Sequence, residues 1–172
     1  MTYEKSIEKK GHMHFNISEK VVHALYGVGT INKMVIQESP VGDKHLYYEI
    51  LFPNTTIWSP VNLLTTKLRS LSDRDELENC RQLLKSSPEP LNPDPRKRKS
   101  DLVDHIKIGT LMARCEVVRD LTGHKKNKPL SEVYSGLLNN TKELVYEEWA
   151  AIECISSSDA ANEIDTLLKN NS

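Results

Sequence analysis

VVHALYGVGTI, residues 21–31, decides how the first third of the chain is read. Gly27 and Gly29 flank a single valine, with strand-forming apolar residues on both sides. A Gly-rich turn that cradles phosphate needs a third glycine and a helix whose N-terminus receives the anion. Here Thr30 to Ile36 follows, roughly alternating apolar with polar, and there is no third glycine and no Gly-Lys-Ser/Thr. The pair therefore reads as a corner, where glycine permits positive φ or close backbone approach as a small sheet bends.

Working outward, Val21 and Val22 open a strand, Thr30 to Ile36 forms a second, His45 to Phe52 a third and Thr56 to Pro60 a short fourth. Turn residues at Ser39 to Asp43 and at Pro53-Asn54 separate them. Four or five short antiparallel strands in so few residues predict a small, strongly bent Tudor/SH3-like barrel. Residues 1–14 form a polar lead-in expected to be mobile. Its His12 and His14 lack further ligands and give no metal site.

After Pro60 the period becomes helical. Asp73 to Lys85 carries Leu77, Leu83 and Leu84 among charges, with Ser72 as the expected N-cap. Four prolines between Pro88 and Pro95 then stop it, so residues 86–95 read as a stiff connector. Helical character resumes at Arg96. Thr110 recaps it, Leu111, Cys115 and Val118 share one face, and Gly123 is the expected stop. Lys125 to Pro129 reads as a basic loop and Ser131 caps the next helix. Val145, Trp149 and Ile152 then fall at i, i+4 and i+7, a core stripe, and a short helix near Asp159 to Leu168 closes the chain. The expected fold class is α+β: a β-barrel domain at 15–71, then an all-helical domain at 72–172.

The 23 basic and 24 acidic residues nearly cancel, but they are not evenly spread. Arg96 to Lys128 holds ten basic residues against four acidic ones, whereas Pro129 to Ser172 holds two against eight. Such polarity suits a phosphate-tracking surface, although a charge cluster is also compatible with a plainly solvated face. Three scattered cysteines, Cys80, Cys115 and Cys154, fit structural thiols in a reducing cytoplasm. No apolar run suits a signal peptide or a membrane span. Dispersed histidines and the lack of a nucleophile–base constellation argue against an enzyme, and no cofactor or small-molecule substrate is implied.

"EKVVHALYGVGTI" (19–31), "YYEILF" (47–52), "IWSPV" (57–61) and the following "LRSLS" (68–72) resemble the RNA-polymerase-interacting domain of the CarD/CdnL/TRCF family of bacterial transcription regulators. "MARCEVVRDL" (112–121) and "PLSEVYSGLLNNTKELVYEEWA" (129–150) resemble that family's helical domain, in the same order. The resemblance implies a Tudor-like domain that binds the RNA polymerase β subunit, partly by strand-to-strand contact at an exposed sheet edge. The residues it points to are Lys33, Val35 and Gln37 on one strand and Ile57 and Trp58 on another. Some members carry arginines near the positions of Gln37 and Trp58. Trp58 is here either an aromatic anchor or a core residue. The resemblance also implies a helical domain that approaches promoter DNA. The phosphate-contact candidates are Arg96, Lys97, Arg98, Lys99, Arg114, Arg119, Lys125, Lys126 and Lys128. Thr122 stands where some members place a tryptophan that wedges into the minor groove, which threonine cannot do. The expectation is a cytoplasmic, non-enzymatic regulator of open-complex stability. Its rival is an adaptor that binds polymerase but touches only protein.

Overall fold

The computed structural model describes residues 15–38, 42–61 and 68–169. The lead-in at 1–14 and most of the turn expected at Ser39 to Asp43 lie outside them. The described chain is α+β, with an antiparallel five-stranded sheet followed by helices.

The strands are β1 (Lys20–His23), β2 (Gly27–Glu38), β3 (Lys44–Phe52), β4 (Thr55–Pro60) and β5 (Leu68–Ser70). They are hydrogen-bonded in the order β4-β3-β2-β1-β5, so β4 and β5 are the two ends and the barrel is not closed. Alternation sets the inner face: Val21, Ile31, Tyr48, Ile50 and Phe52 bury against one another. Phe15 packs into this core edge-on to Tyr48, its N–H donating to the Tyr48 hydroxyl at 3.1 Å. A β-bulge interrupts the β2–β3 register between Ile31 and Lys33, leaving Asn32 as the extra residue.

The opening motif is a corner, and both of its glycines are needed. Gly27 has φ +74°, and a Cβ there would collide with the Glu147 carboxylate from the helical half. At Gly29 a Cβ would lie 2.6 Å from the Phe52 ring and 2.9 Å from Ile50, inside the sheet core.

Five helices follow among the described residues: α1 (Arg74–Lys85), α2 (Pro95–Lys107), α3 (Leu111–Asn127), α4 (Glu132–Glu153) and α5 (Ser157–Lys169). Their apolar stripes meet in one core around Leu77, Leu84, Leu111, Val118, Val145 and Trp149. Trp149 is fully buried, as its spacing predicts, and its indole N–H donates to Glu163 at 3.0 Å. Thr110 and Ser131 cap α3 and α4 through their side chains.

Three local expectations are corrected. The N-cap of α1 is Asp73, which accepts from the Glu76 N–H at 2.8 Å, while Ser72 is committed to Glu148. Gly123 does not stop α3, which continues to Asn127; it is small because the Pro88 ring packs directly on it. Lys125 and Lys126 therefore lie in the last turn of α3 rather than in a loop, where cations suit the helix dipole. The Pro-rich connector is consequently packed, not loose. The Glu89 N–H also donates to Asp120 at 2.8 Å, and Leu91 joins the helical core.

Candidate functional site

The outer face of the sheet is built by register. Lys33 pairs with Glu49, Val35 with Tyr47 and Gln37 with His45, while Glu49 pairs in turn with Trp58. Cross-strand partners share a face, so Lys33, Val35, Gln37 and Trp58 come together around Tyr47 and Glu49. The Asn32 bulge makes this possible: without it Lys33 would fall in phase with the core. Asn32 also donates its amide to Glu49 at 2.6 Å. That bond, with Lys33 and Trp58 alongside, holds the Glu49 carboxyl below the ordinary carboxylate range. Trp58 is 50% exposed, which settles its two readings against the core.

One of the sequence expectations changes here. Ile57 pairs with the buried Ile50 and packs on the sheet core, so it faces away from Trp58. The Lys33–Gln37 segment belongs to an inner strand of the sheet order, yet locally it is paired along one side only, by β3. Its other side extends past β1, which reaches only to Thr30, and no strand among the described residues pairs with it there. Met34 and Ile36 are exposed in consequence, at 47% and 69%. A second edge, which carries Trp58 itself, is β4.

The basic residues divide sharply. Arg96, Lys97 and Lys99 are exposed on the first turns of α2, and Lys125, Lys126 and Lys128 are exposed at the end of α3. Helices α2 and α3 fold back on each other through Ile108 to Thr110, with His105 of α2 contacting Glu116 of α3. The two basic clusters lie at the ends of α2 and α3 remote from the turn that joins them. The basic side chains at the start of α2 are set against the Asp94 N-cap, whose carboxylate accepts from the Arg96 and Lys97 N–H groups at 2.8 and 3.1 Å.

Arg98, Arg114 and Arg119 are committed elsewhere. Arg98 donates to the Asn92 and Pro93 carbonyls and lies over the Tyr134 ring. Arg119 is buried against Asp120, at 2.7 Å, and the Ser86 hydroxyl, at 3.0 Å. Arg114 is fully buried and cannot reach a phosphate. Thr122 is half-buried with its hydroxyl enclosed, so it presents nothing to a groove.

Sequence reasoning missed what Arg114 does. Its guanidinium donates to the Ala24 carbonyl at 3.1 Å and lies 3.6 Å from Glu148 Oε2. Arg69 of β5 grips the same carboxylate at 2.6 and 2.7 Å, and Ser72 donates to it through both N–H and hydroxyl. The signal was in the spacing. Arg114 sits three after Leu111 and four before Val118, while Glu148 sits three after Val145 and four before Ile152. Opposite charges on two apolar stripes imply a buried pair.

Among the described residues no group of three or more His, Cys, Asp or Glu is arranged to hold a metal, and no helix is long and apolar enough to cross a membrane. Residues 79–165 match the family model described as CarD, C-terminal domain. Residues 15–72 match that of the CarD-like/TRCF RID domain. A Bacillus subtilis (strain 168) protein bearing the name "Putative transcription factor YdeB" is 27% identical over 145 residues, covering 83% of this chain and 94% of that protein.

Proposed function

The chain belongs to the CarD-like family of transcription factors, and from that premise we propose that it binds the RNA polymerase β subunit through the outer sheet face and modulates promoter open complexes through the α2–α3 basic end. The observation that carries this reading is the exposed Trp58, on a face shared with Lys33, Val35 and Gln37 and beside the β4 edge. An exposed aromatic of that size, on a strand that ends the sheet, suits a protein partner that adds a strand and receives the ring. With Gln37 and Trp58 uncharged, apolar contact outweighs ion pairing in this interface. The family is one of transcription factors rather than enzymes.

DNA contact rests on Arg96, Lys97, Lys99, Lys125, Lys126 and Lys128, which reach phosphates but present no wedge to the base stack. The withdrawal of Arg98, Arg114 and Arg119 from the surface favours the alternative, an adaptor that touches only protein. Open-complex lifetime on purified polymerase tests the reading. Added protein should change the lifetime, and Trp58→Ala should remove the change. An unaltered lifetime with bound wild-type protein would leave the adaptor.

A further inference from the structure

The two halves of the molecule meet at a cluster of charges. Glu148 of α4 is fully buried, and both its oxygens are used. Arg69 brings β5 to it by a bidentate contact and reaches on through Nε to the Gly109 carbonyl, at 2.9 Å, in the α2–α3 turn. Arg114 of α3 approaches from the other side and donates to the Ala24 carbonyl in the β1–β2 turn. Just beyond, Gly27 lets that turn lie against Glu147 and Leu144 of α4. One carboxylate thereby joins β5, the β1–β2 turn, the α2–α3 turn, α3 and α4.

An apolar interface tolerates sliding, because its contacts have no direction. A bidentate guanidinium–carboxylate pair does not, since a small shift leaves buried charge unpaired. Burial already pulls the Arg114 guanidinium down from its ordinary range, opposed mainly by Glu148. This arrangement is a poor choice for stability alone and a good one for fixing an angle.

We propose that Arg69, Glu148 and Arg114 form a latch that locks the β domain to the helical domain at one orientation, making Glu148 and Arg69 positioning residues. In its functional half the proposal rests on the reading above: a fixed angle holds the Trp58 face and the α2–α3 basic end at a set spacing, so polymerase binding delivers the basic end to promoter DNA.

The test uses the full chain. Cys154 is exposed while Cys80 and Cys115 are buried, so a spin label on Cys154 and a second on Lys44→Cys report the distance between the domains. The wild-type pair should give one narrow distance. Arg69→Gln, whose side chain lies at the rim of the helical core, should broaden or split it, and Arg69→Lys should restore it only in part. Glu148→Gln should act in the same direction, but the conclusion does not need it to fold. Lys142→Gln breaks the pair with Asp165 inside the helical domain and should leave the distance narrow. In the functional arm, Arg69→Gln should bind a polymerase β fragment and duplex DNA separately as wild type does, while open-complex lifetime moves about tenfold towards that without the protein, an ordinary magnitude for coupling between sites. An unchanged distance in Arg69→Gln overturns the latch. A broadened distance with unchanged lifetime overturns its role in spacing. Because the distance is read on the free protein, failure of the polymerase reading would leave the latch result intact.

Discussion

At the scale of single residues, two glycines separate packing from propensity. Gly136 lies in α4 with nothing near the position of a Cβ, so Gly136→Ala should stabilise the protein by up to about 1 kcal/mol. Gly123 is also helical and would gain as much, but its Cβ would meet the Pro88 ring. Overpacking costs about 1–3 kcal/mol, so Gly123→Ala should lower the urea midpoint with an unchanged slope, and the contrast between the two variants is the check. Glu147 gives a pH signature. Burial raises its carboxyl, against a hydrogen bond from Val28. The folded state therefore holds the proton to higher pH than the unfolded chain does. Stability should fall as pH rises from the ordinary glutamate range through the raised value, and Glu147→Gln should flatten that fall in denaturation curves taken across the window.

At the scale of elements, α2 makes the sharpest test of the basic surface. Lys97→Gln should weaken duplex binding for all sequences alike and reduce the salt dependence by about one phosphate contact. Arg114→Gln should instead act on stability, at roughly 3–5 kcal/mol for a broken buried ion pair. Salt titrations and melting curves read the two apart. The elements themselves were legible in the sequence wherever one local rule decided them: the Thr110 and Ser131 caps, the Trp149 stripe, the prolines ending α1. They were illegible where a distant residue overruled the local rule. Ser72 looks like a cap until Glu148 claims it, and Gly123 looks like a stop until Pro88 needs the space. Lys33, Val35, Gln37 and Trp58 could be named from strand pattern and resemblance, but their common face depends on the Asn32 bulge, which no sequence period announces. Arg114 was read as a surface cation because the basic span was counted by composition and not by helical face.

At the scale of the whole molecule, two surfaces are held in one frame. The sheet presents Trp58 and Lys33 on its outer face, the helical hairpin presents its basic end, and a buried carboxylate joins the two halves. The proposed polymerase contact comes first, because the proposed promoter role of the basic end depends on it. The most direct measurement is titration of the full chain into a fragment of the cognate polymerase β subunit, repeated with Trp58→Ala and with Lys33→Glu. Binding should be saturable, and Trp58→Ala should weaken it by about tenfold or more, the effect of truncating an aromatic hot spot. Lys33→Glu should weaken it as well, by placing like charge beside Glu49 on the same face. Binding of equal strength in all three proteins, or none to the fragment or to whole polymerase, would contradict the proposed contact.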